Sequence, residues 1–343
     1  MAASLVFITG GSGFIGSQVV QDTLKAGHRV RVSVRREAQA EQLKERFAPY
    51  TNEQDQLEFV VIPDLTDSAV IRSALGEDVS YIFHLASPLP GRGTDFKAEY
   101  LGPAVKATEA VLVAAATAKA VKRVVVMSSL LALMPLDGLR IPGLVINEGA
   151  NASIQVDEDM VFPEGPRSDG AKYSASKILA HRFTIEWATQ NKPHFALVTL
   201  HPTFVVGYDQ TQKSAASPGA LVNSWILASL ASGSPAIPAG FVDVRDVSQA
   251  HLNGMDAPLN PDAPLTEVIL AGPKTSWEGI VKFVKANYPA IPCTMSEEGP
   301  YQQPFIADSS RAEGDFGIKW HTMDETISSF LDQQLQFNER AGL

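Results

Sequence analysis

The sequence predicts an α/β chain, a doubly wound parallel sheet with a smaller C-terminal α/β lobe. Three observations lead there. Short apolar runs alternate with helix-period segments from Leu5 to His201, the rhythm of repeated β-α-β units. The first run ends in a glycine-rich turn that opens a helix. After Pro202 the composition shifts toward Ser, Ala, Gly and Pro, which marks a boundary. The expected division is 1–205 for the first domain, with 240–256 packing back onto it, and 206–343 for the smaller lobe.

Each element has its own reason. Leu5 to Thr9 is an apolar run before glycine, suited to a strand buried on both faces. Phe14 to Lys25 has helical periodicity and stops at Gly27. Arg29 to Arg35 alternates, with Val30, Val32 and Val34 on one side, and Glu37 to Phe47 is a polar helix. Leu57 to Ile62 is the third strand, and Asp67 or Thr66 caps the helix carrying Val70, Ile71 and Leu75. Val79 to Leu85 is the fourth strand, Pro103 to Ala120 an Ala-rich helix, and Val121 to Ser128 the fifth strand. Leu130 to Asp169 breaks the rhythm, and a long irregular stretch inside a domain is usually functional or disordered. Ala171 to Trp187 is helical and Phe195 to His201 is the sixth strand. Beyond it, helices are expected at Ala220–Leu230, Trp277–Asn287 and Met323–Gln336, a strand-to-helix pattern at Phe241–Met255, and a strand-like run at Val268–Ala271.

Composition narrows the function. A formal charge of -10 and a pI near 5.2 disfavour nucleic acid and anionic membranes as partners. The lone cysteine, Cys293, leaves no intramolecular disulfide. No apolar window reaches the roughly 18 residues of a membrane span, and Met1-Ala2-Ala3-Ser4 lacks a basic leader. The expectation is a cytoplasmic monomer or homodimer whose partner is a small molecule. The seven histidines show no metal-ligand spacing, so no metal is expected; His84 and His201, at strand ends, read as packed or hydrogen-bonded.

Gly10, Gly13 and Gly16 punctuate the strand-to-helix turn Thr9-Gly10-Gly11-Ser12-Gly13-Phe14-Ile15-Gly16. Gly10 permits the tight turn, Gly13 the close approach of a pyrophosphate, and Gly16 the packing of helix on sheet. The free N–H groups at Phe14, Ile15 and Gly16 favour a diphosphate. The spacing is one residue wider than the commonest dinucleotide fingerprint, but the strand before it and the helix after it point to a Rossmann-type nucleotide site. The second strand ends Val34-Arg35-Arg36, where an NAD-selective site would carry a carboxylate. A guanidinium there pairs with a 2′-phosphate, so the expected cofactor is NADPH, held by Arg35 with Arg36 in reserve. Asp64-Leu65 stands where an adenine amino group would lie, or else is a turn or cap. Leu85-Ala86-Ser87 lines the cofactor at the switch point of the sheet.

Tyr173 and Lys177 share a helix face at i and i+4. An ammonium one turn from a phenol stabilises the phenolate, which is expected to draw the phenol pKa from about 10 toward neutrality. Such a group serves as a general acid. The pocket is expected from 88–96, 130–162 and 208–225, with Pro88, Leu131, Met134 and Tyr208 as substrate contacts, and Leu89, Phe162 and Trp225 nearby.

The ordered set of the glycine turn, Asp64-Leu65, Ser128-Ser129, Tyr173-Ser174-Ala175-Ser176-Lys177, His201-Pro202-Thr203 and Phe241-Val242-Asp243-Val244-Arg245-Asp246-Val247 resembles the extended short-chain dehydrogenase/reductases. Within these it looks most like plant dihydroflavonol and cinnamoyl-CoA reductases and the yeast and fungal carbonyl reductases. The resemblance implies a Ser-Tyr-Lys triad of Ser129, Tyr173 and Lys177, with Ser128 a structural neighbour. It also implies that Pro202, Thr203 and Val205 sit beside the nicotinamide. Plant dihydroflavonol reductases usually carry a small polar residue where this chain has Met134, which favours the fungal side and an apolar or aromatic ketone or aldehyde. Two other readings stay open: an NAD-dependent nucleotide-sugar epimerase or dehydratase of the same fold, against which Arg35 speaks, and a non-enzymatic dinucleotide sensor, against which the retained tyrosine speaks.

Overall fold

In the computed structural model the described residues are 3–51, 56–87, 94–162, 168–215, 217, 219–259, 263–301 and 305–341. The chain runs β1 (Leu5–Thr9), α1 (Phe14–Lys25), β2 (Arg29–Val34), α2 (Glu37–Phe47), β3 (Leu57–Val61), α3 (Ser68–Leu75) and β4 (Val79–His84). It continues α4 (Gly102–Thr117), β5 (Arg123–Met127), β6 (Val145–Ile146), α5 (Ser168–Asn191), β7 (Ala196–Pro202), β8 (Phe204–Val206) and α6 (Leu221–Ser232). It ends β9 (Phe241–Asp243), α7 (Val244–Asn253), β10 (Thr266–Leu270), α8 (Trp277–Asn287), β11 (Ile306–Ala307), α9 (Ser310–Gly314) and α10 (Met323–Ala341).

Seven parallel strands form one sheet in the order β10-β7-β5-β4-β1-β2-β3. Successive strand residues point to opposite faces, so each central strand feeds two cores. Val6 and Ile8 of β1 pack with Val20 and Leu24 of α1, Leu43 of α2 and Val247 of α7. Leu5 and Phe7 pack on the other face with Ile71 of α3, Val111 of α4 and Trp187 of α5. The strand order reverses between β1 and β4, and a crevice opens at the carboxyl ends of strands on either side of such a switch.

Asp67 is the cap of α3, accepting from the N–H groups of Ala69 and Val70. The Ala-rich helix starts one residue earlier than expected, at Gly102. It grows directly out of a π-helical turn over Phe96–Leu101, with Pro103 in the first turn, where a missing N–H costs nothing. The irregular stretch resolves into 3-10 turns at Leu130–Leu133, Gly138–Arg140 and Ala150–Ser153, plus β6, which pairs with the distant β11.

The expected boundary at residue 205 does not hold for β10. This strand lies far beyond it in sequence yet pairs with β7 as the edge of the large sheet. Ser248 of α7 donates to Asp22 of α1, and Arg123 of β5 donates to the carbonyls of Gly254 and Ala257 just past α7. A separate core joins α6, α8 and α10 to β8 and β9, through Ile226, Leu230, Phe241, Trp277, Ile280, Phe330 and Leu331. No helix among the described residues is long and apolar enough to cross a membrane.

Candidate active site

The glycine turn lies where β1 feeds α1. Gly10 has φ +75°, and a Cβ there would come 2.7 Å from the Ala86 nitrogen at the end of β4. Gly16 is held tighter, since its Cβ would lie 2.1 Å from the Gly10 carbonyl oxygen. It therefore closes the turn on itself rather than packing helix on sheet. Gly13 is exposed and would meet only the Gly10 oxygen, at 3.5 Å, so its face is open to a ligand. The α1 N-terminus has no side-chain cap and no acid in its first turn, which leaves the N–H groups of Phe14, Ile15 and Gly16 available to an anion.

Arg35 and Arg36 are both exposed in the turn between β2 and α2. Asp64 makes a turn: its Oδ1 accepts the Thr66 N–H and hydroxyl, and the Thr66 N–H is the main cause holding its carboxyl low. Leu65 packs half-buried beneath it. At the end of β4, Leu85 is half-buried and Ser87 exposed. Pro202 and Val205 are buried, and Thr203 carries a buried Oγ1 with no hydrogen-bond partner. This orphan hydroxyl, the open glycine cradle and the arginines at the β2 end fit a phosphorylated dinucleotide. The residues that would hold it are Gly10 to Gly16, Arg35, Leu85 to Ser87, Thr203 and Lys177.

Three elements converge at the carboxyl edge of the sheet. Ser129 follows β5, and its Oγ accepts the Leu131 N–H at 3.2 Å. That bond caps the following turn and leaves the hydroxyl hydrogen free to donate. Tyr173 and Lys177 come from α5, with the Lys177 Nζ 5.5 Å from the centre of the Tyr173 ring. Lys177 is 6 % exposed and donates to Ser87 Oγ at 2.8 Å. Thr9 ties β1 to β4, receiving the Ala86 N–H and lying 2.8 Å from His84 Nδ1. Burial, and then the charge of Lys177, brings His84 down to about 4, so it is neutral at pH 7.

The expected depression of the Tyr173 pKa is not what the structure has. Burial pushes Tyr173 up to about 12 and Lys177 down to about 8. Sharing a helix face does not bring the ammonium onto the phenol oxygen, so desolvation wins. Tyr173 is thus protonated at neutral pH and able to donate its proton. Lys177 is protonated below about pH 8 and loses its charge above it. Free-enzyme pKa values govern kcat/KM. We expect kcat/KM for carbonyl reduction to be level below about pH 8 and to fall roughly tenfold per pH unit above it. A profile still level at about pH 10 would contradict this. The folded value lies below the ordinary 10.5, so the unfolded chain binds the extra proton between the two, and this residue's contribution to stability rises with pH across that window.

Of the expected substrate contacts, Leu131 is half-buried and Tyr208 is 47 % exposed. Met134 is 1 % exposed among Leu130, Leu133, Ile146 and Phe305, so its side chain is packed inside that cluster. Pro88 and Leu89 lie outside the described residues. Two features escaped the sequence reading. Gly11 is as constrained as its neighbours, since its Cβ would lie 2.8 Å from Val32 Cγ1, and the Gly-Gly pair was the available signal. The bond from Ser87 to Lys177 had none.

A family model described as the NAD dependent epimerase/dehydratase family matches residues 6–266. Ketoreductase sphI of Aspergillus fumigatus is 36% identical over 98% of this chain and 99% of its own. Ketoreductase azaE of Aspergillus niger is 32% identical over 96% and 98%. The solved structure of yeast methylglyoxal/isovaleraldehyde reductase Gre2 complexed with NADPH superposes with a TM-score of 0.78, at 23% identity, covering 98% of this chain and 99% of that one.

Proposed function

The chain belongs to the NAD-dependent epimerase/dehydratase family of extended short-chain dehydrogenase/reductases, and from that premise we propose that it is an NADPH-dependent carbonyl reductase acting on apolar or aromatic ketones and aldehydes. The observation that carries this reading is buried Lys177, 5.5 Å from the centre of the Tyr173 ring and bonded to Ser87 at the end of β4, where the open glycine cradle also abuts Ala86. Support for the activity comes from two relatives named ketoreductases, and for the cofactor from Gre2, solved with NADPH.

When bound, NADPH supplies the hydride, so that the carbonyl becomes an alcohol and the dinucleotide leaves oxidised. The Ser129 and Tyr173 hydroxyls donate to the carbonyl oxygen, where negative charge grows. Tyr173 passes its proton to that oxygen. Lys177 stabilises the phenolate left behind until solvent restores the proton. We assign the apolar side of the substrate to Leu131 and Phe162, both half-buried apolar residues.

The test is NADPH oxidation over aromatic aldehydes, keto esters and bicyclic ketones, with nucleotide sugars as the counter-panel. Turnover of carbonyls supports the reading; turnover of nucleotide sugars alone overturns it. Arg35 sets the cofactor preference. A charge-assisted hydrogen bond is worth about 1.5–3 kcal/mol, so Arg35→Ala is expected to lower kcat/KM for NADPH about 10- to 100-fold and to leave NADH nearly untouched. Equal losses with both cofactors, or none, would argue against a 2′-phosphate contact.

A further inference from the structure

Glu267, on the edge strand β10, touches both the helix that carries Tyr173 and Lys177 and the long loop that precedes it. Its Oε1 accepts from His181 Nε2 at 2.5 Å, and its Oε2 accepts the Gly149 N–H at 2.5 Å. His181 stands one helical turn past Lys177 on α5, and Gly149 lies in the loop between Ser129 and Tyr173. Beside Glu267 in the sheet is Thr199 of β7, and two residues on is His201. The His201 ring meets the His181 ring edge-on, with centres 4.5 Å apart.

His201 is fully buried, and both its nitrogens are occupied. Nδ1 lies 3.1 Å from the Ser129 carbonyl oxygen and Nε2 2.9 Å from the Thr199 hydroxyl. A carbonyl only accepts, so Nδ1 carries the hydrogen and Nε2 receives the one from Thr199. Burial holds this imidazole at about 3, so it stays neutral and keeps one tautomer. A histidine that merely filled space would not need its donor on the main chain of the serine.

The same three side chains have the chemistry of metal ligands, with ligand atoms within 4.8 Å of one another. Both Glu267 oxygens and both His201 nitrogens already hold hydrogen-bond partners, however, and a metal would have to break those bonds. The arrangement is a strut.

We propose that His201 is a positioning residue for the reduction: its Nδ1–H fixes the Ser129 peptide and so the direction of the Ser129 hydroxyl, while Glu267 locks α5 at His181 and the intervening loop at Gly149. The proposal rests on the reductase reading and adds to it a group that never touches substrate.

Two near-isosteres separate the nitrogens. The amide nitrogen of His201→Asn falls near Nδ1, and that of His201→Gln near Nε2. We expect His201→Asn to keep the larger share of kcat and His201→Gln to lose it on the order of 10²-fold, the cost of a misplaced catalytic group. Tm, NADPH Kd and carbonyl KM should differ little between the two. Equal kcat in the pair, or a better Gln variant, overturns the proposal. If neither folds, Glu267→Gln decides: with one carbonyl oxygen it cannot accept both bonds, so kcat should fall at unchanged NADPH Kd, and a native kcat overturns the proposal. Wild-type turnover is measured first. A wild type that binds NADPH and reduces no carbonyl ends the reductase reading and this proposal together, whereas an active wild type with equal variants ends only the strut.

Discussion

Tyr173→Phe is expected to lose about 10³-fold or more in kcat, the combined scale of a lost general acid and a lost donor to the developing oxyanion. The ring should stay where it is. It packs against the cluster of Phe96, Tyr100, Ile154, Val156 and Ile178, none of which depends on the hydroxyl. Tm and NADPH Kd should therefore remain close to wild type, so the loss reads as chemistry. Steady-state kinetics with a fluorescence titration of NADPH measures both. A variant that keeps a tenth of kcat or more would mean that another group delivers the proton, because general acid catalysis alone contributes about 10²-fold or more.

Gly16→Ala is expected to have the largest effect on binding. The new Cβ would lie 2.1 Å from the Gly10 carbonyl oxygen, 2.7 Å from its carbon and 2.9 Å from the Gly11 Cα. All three are backbone atoms, so nothing can rotate away and the turn must open. Overpacking of this kind costs about 1–3 kcal/mol, and an opened turn also misaims the N–H groups that meet the pyrophosphate. We expect a lower Tm and an NADPH Kd raised by about tenfold or more. Gly13→Ala is the matched comparison. Its φ of -87° suits any residue, and its Cβ would make an ordinary 3.5 Å contact, so Tm should change much less. The added methyl would nevertheless stand on the open face, and NADPH should bind more weakly. Native Kd in Gly16→Ala, by calorimetry, would mean that the cradle does not hold the diphosphate.

The parts legible in the sequence were those written in local signals. Strand, glycines and helix follow one another without a gap, so Gly10 to Gly16 could be read directly. The α3 cap was narrowed to Asp67 or Thr66, of which Asp67 is the one, and Arg35 stood out at a position where a carboxylate is usual. What escaped depended on contacts between distant segments. The apolar run ending β10 says that a strand exists but not which strand it joins, and its place beside β7 moved the expected boundary. Two residues of β6 pairing with two of β11 leave no periodicity to detect. His181, His201 and Glu267 are single polar residues in three separate elements, and only the register of β7 with β10 and the packing of α5 on them bring them together. The spacing of Tyr173 and Lys177 was legible, but the desolvation that sets their pKa values depends on what covers them.

The most direct measurement of the central claim follows one atom. The wild type is incubated with an aromatic ketone and NADPH carrying deuterium at the transferable ring position, on each face in turn, and the alcohol is analysed by mass spectrometry. One face should give an alcohol with one deuterium on the carbinol carbon, in step with NADPH consumed, and Tyr173→Phe should give almost none. Consumption of NADPH without deuterated alcohol from either face would contradict direct transfer at the Ser129–Tyr173–Lys177 site.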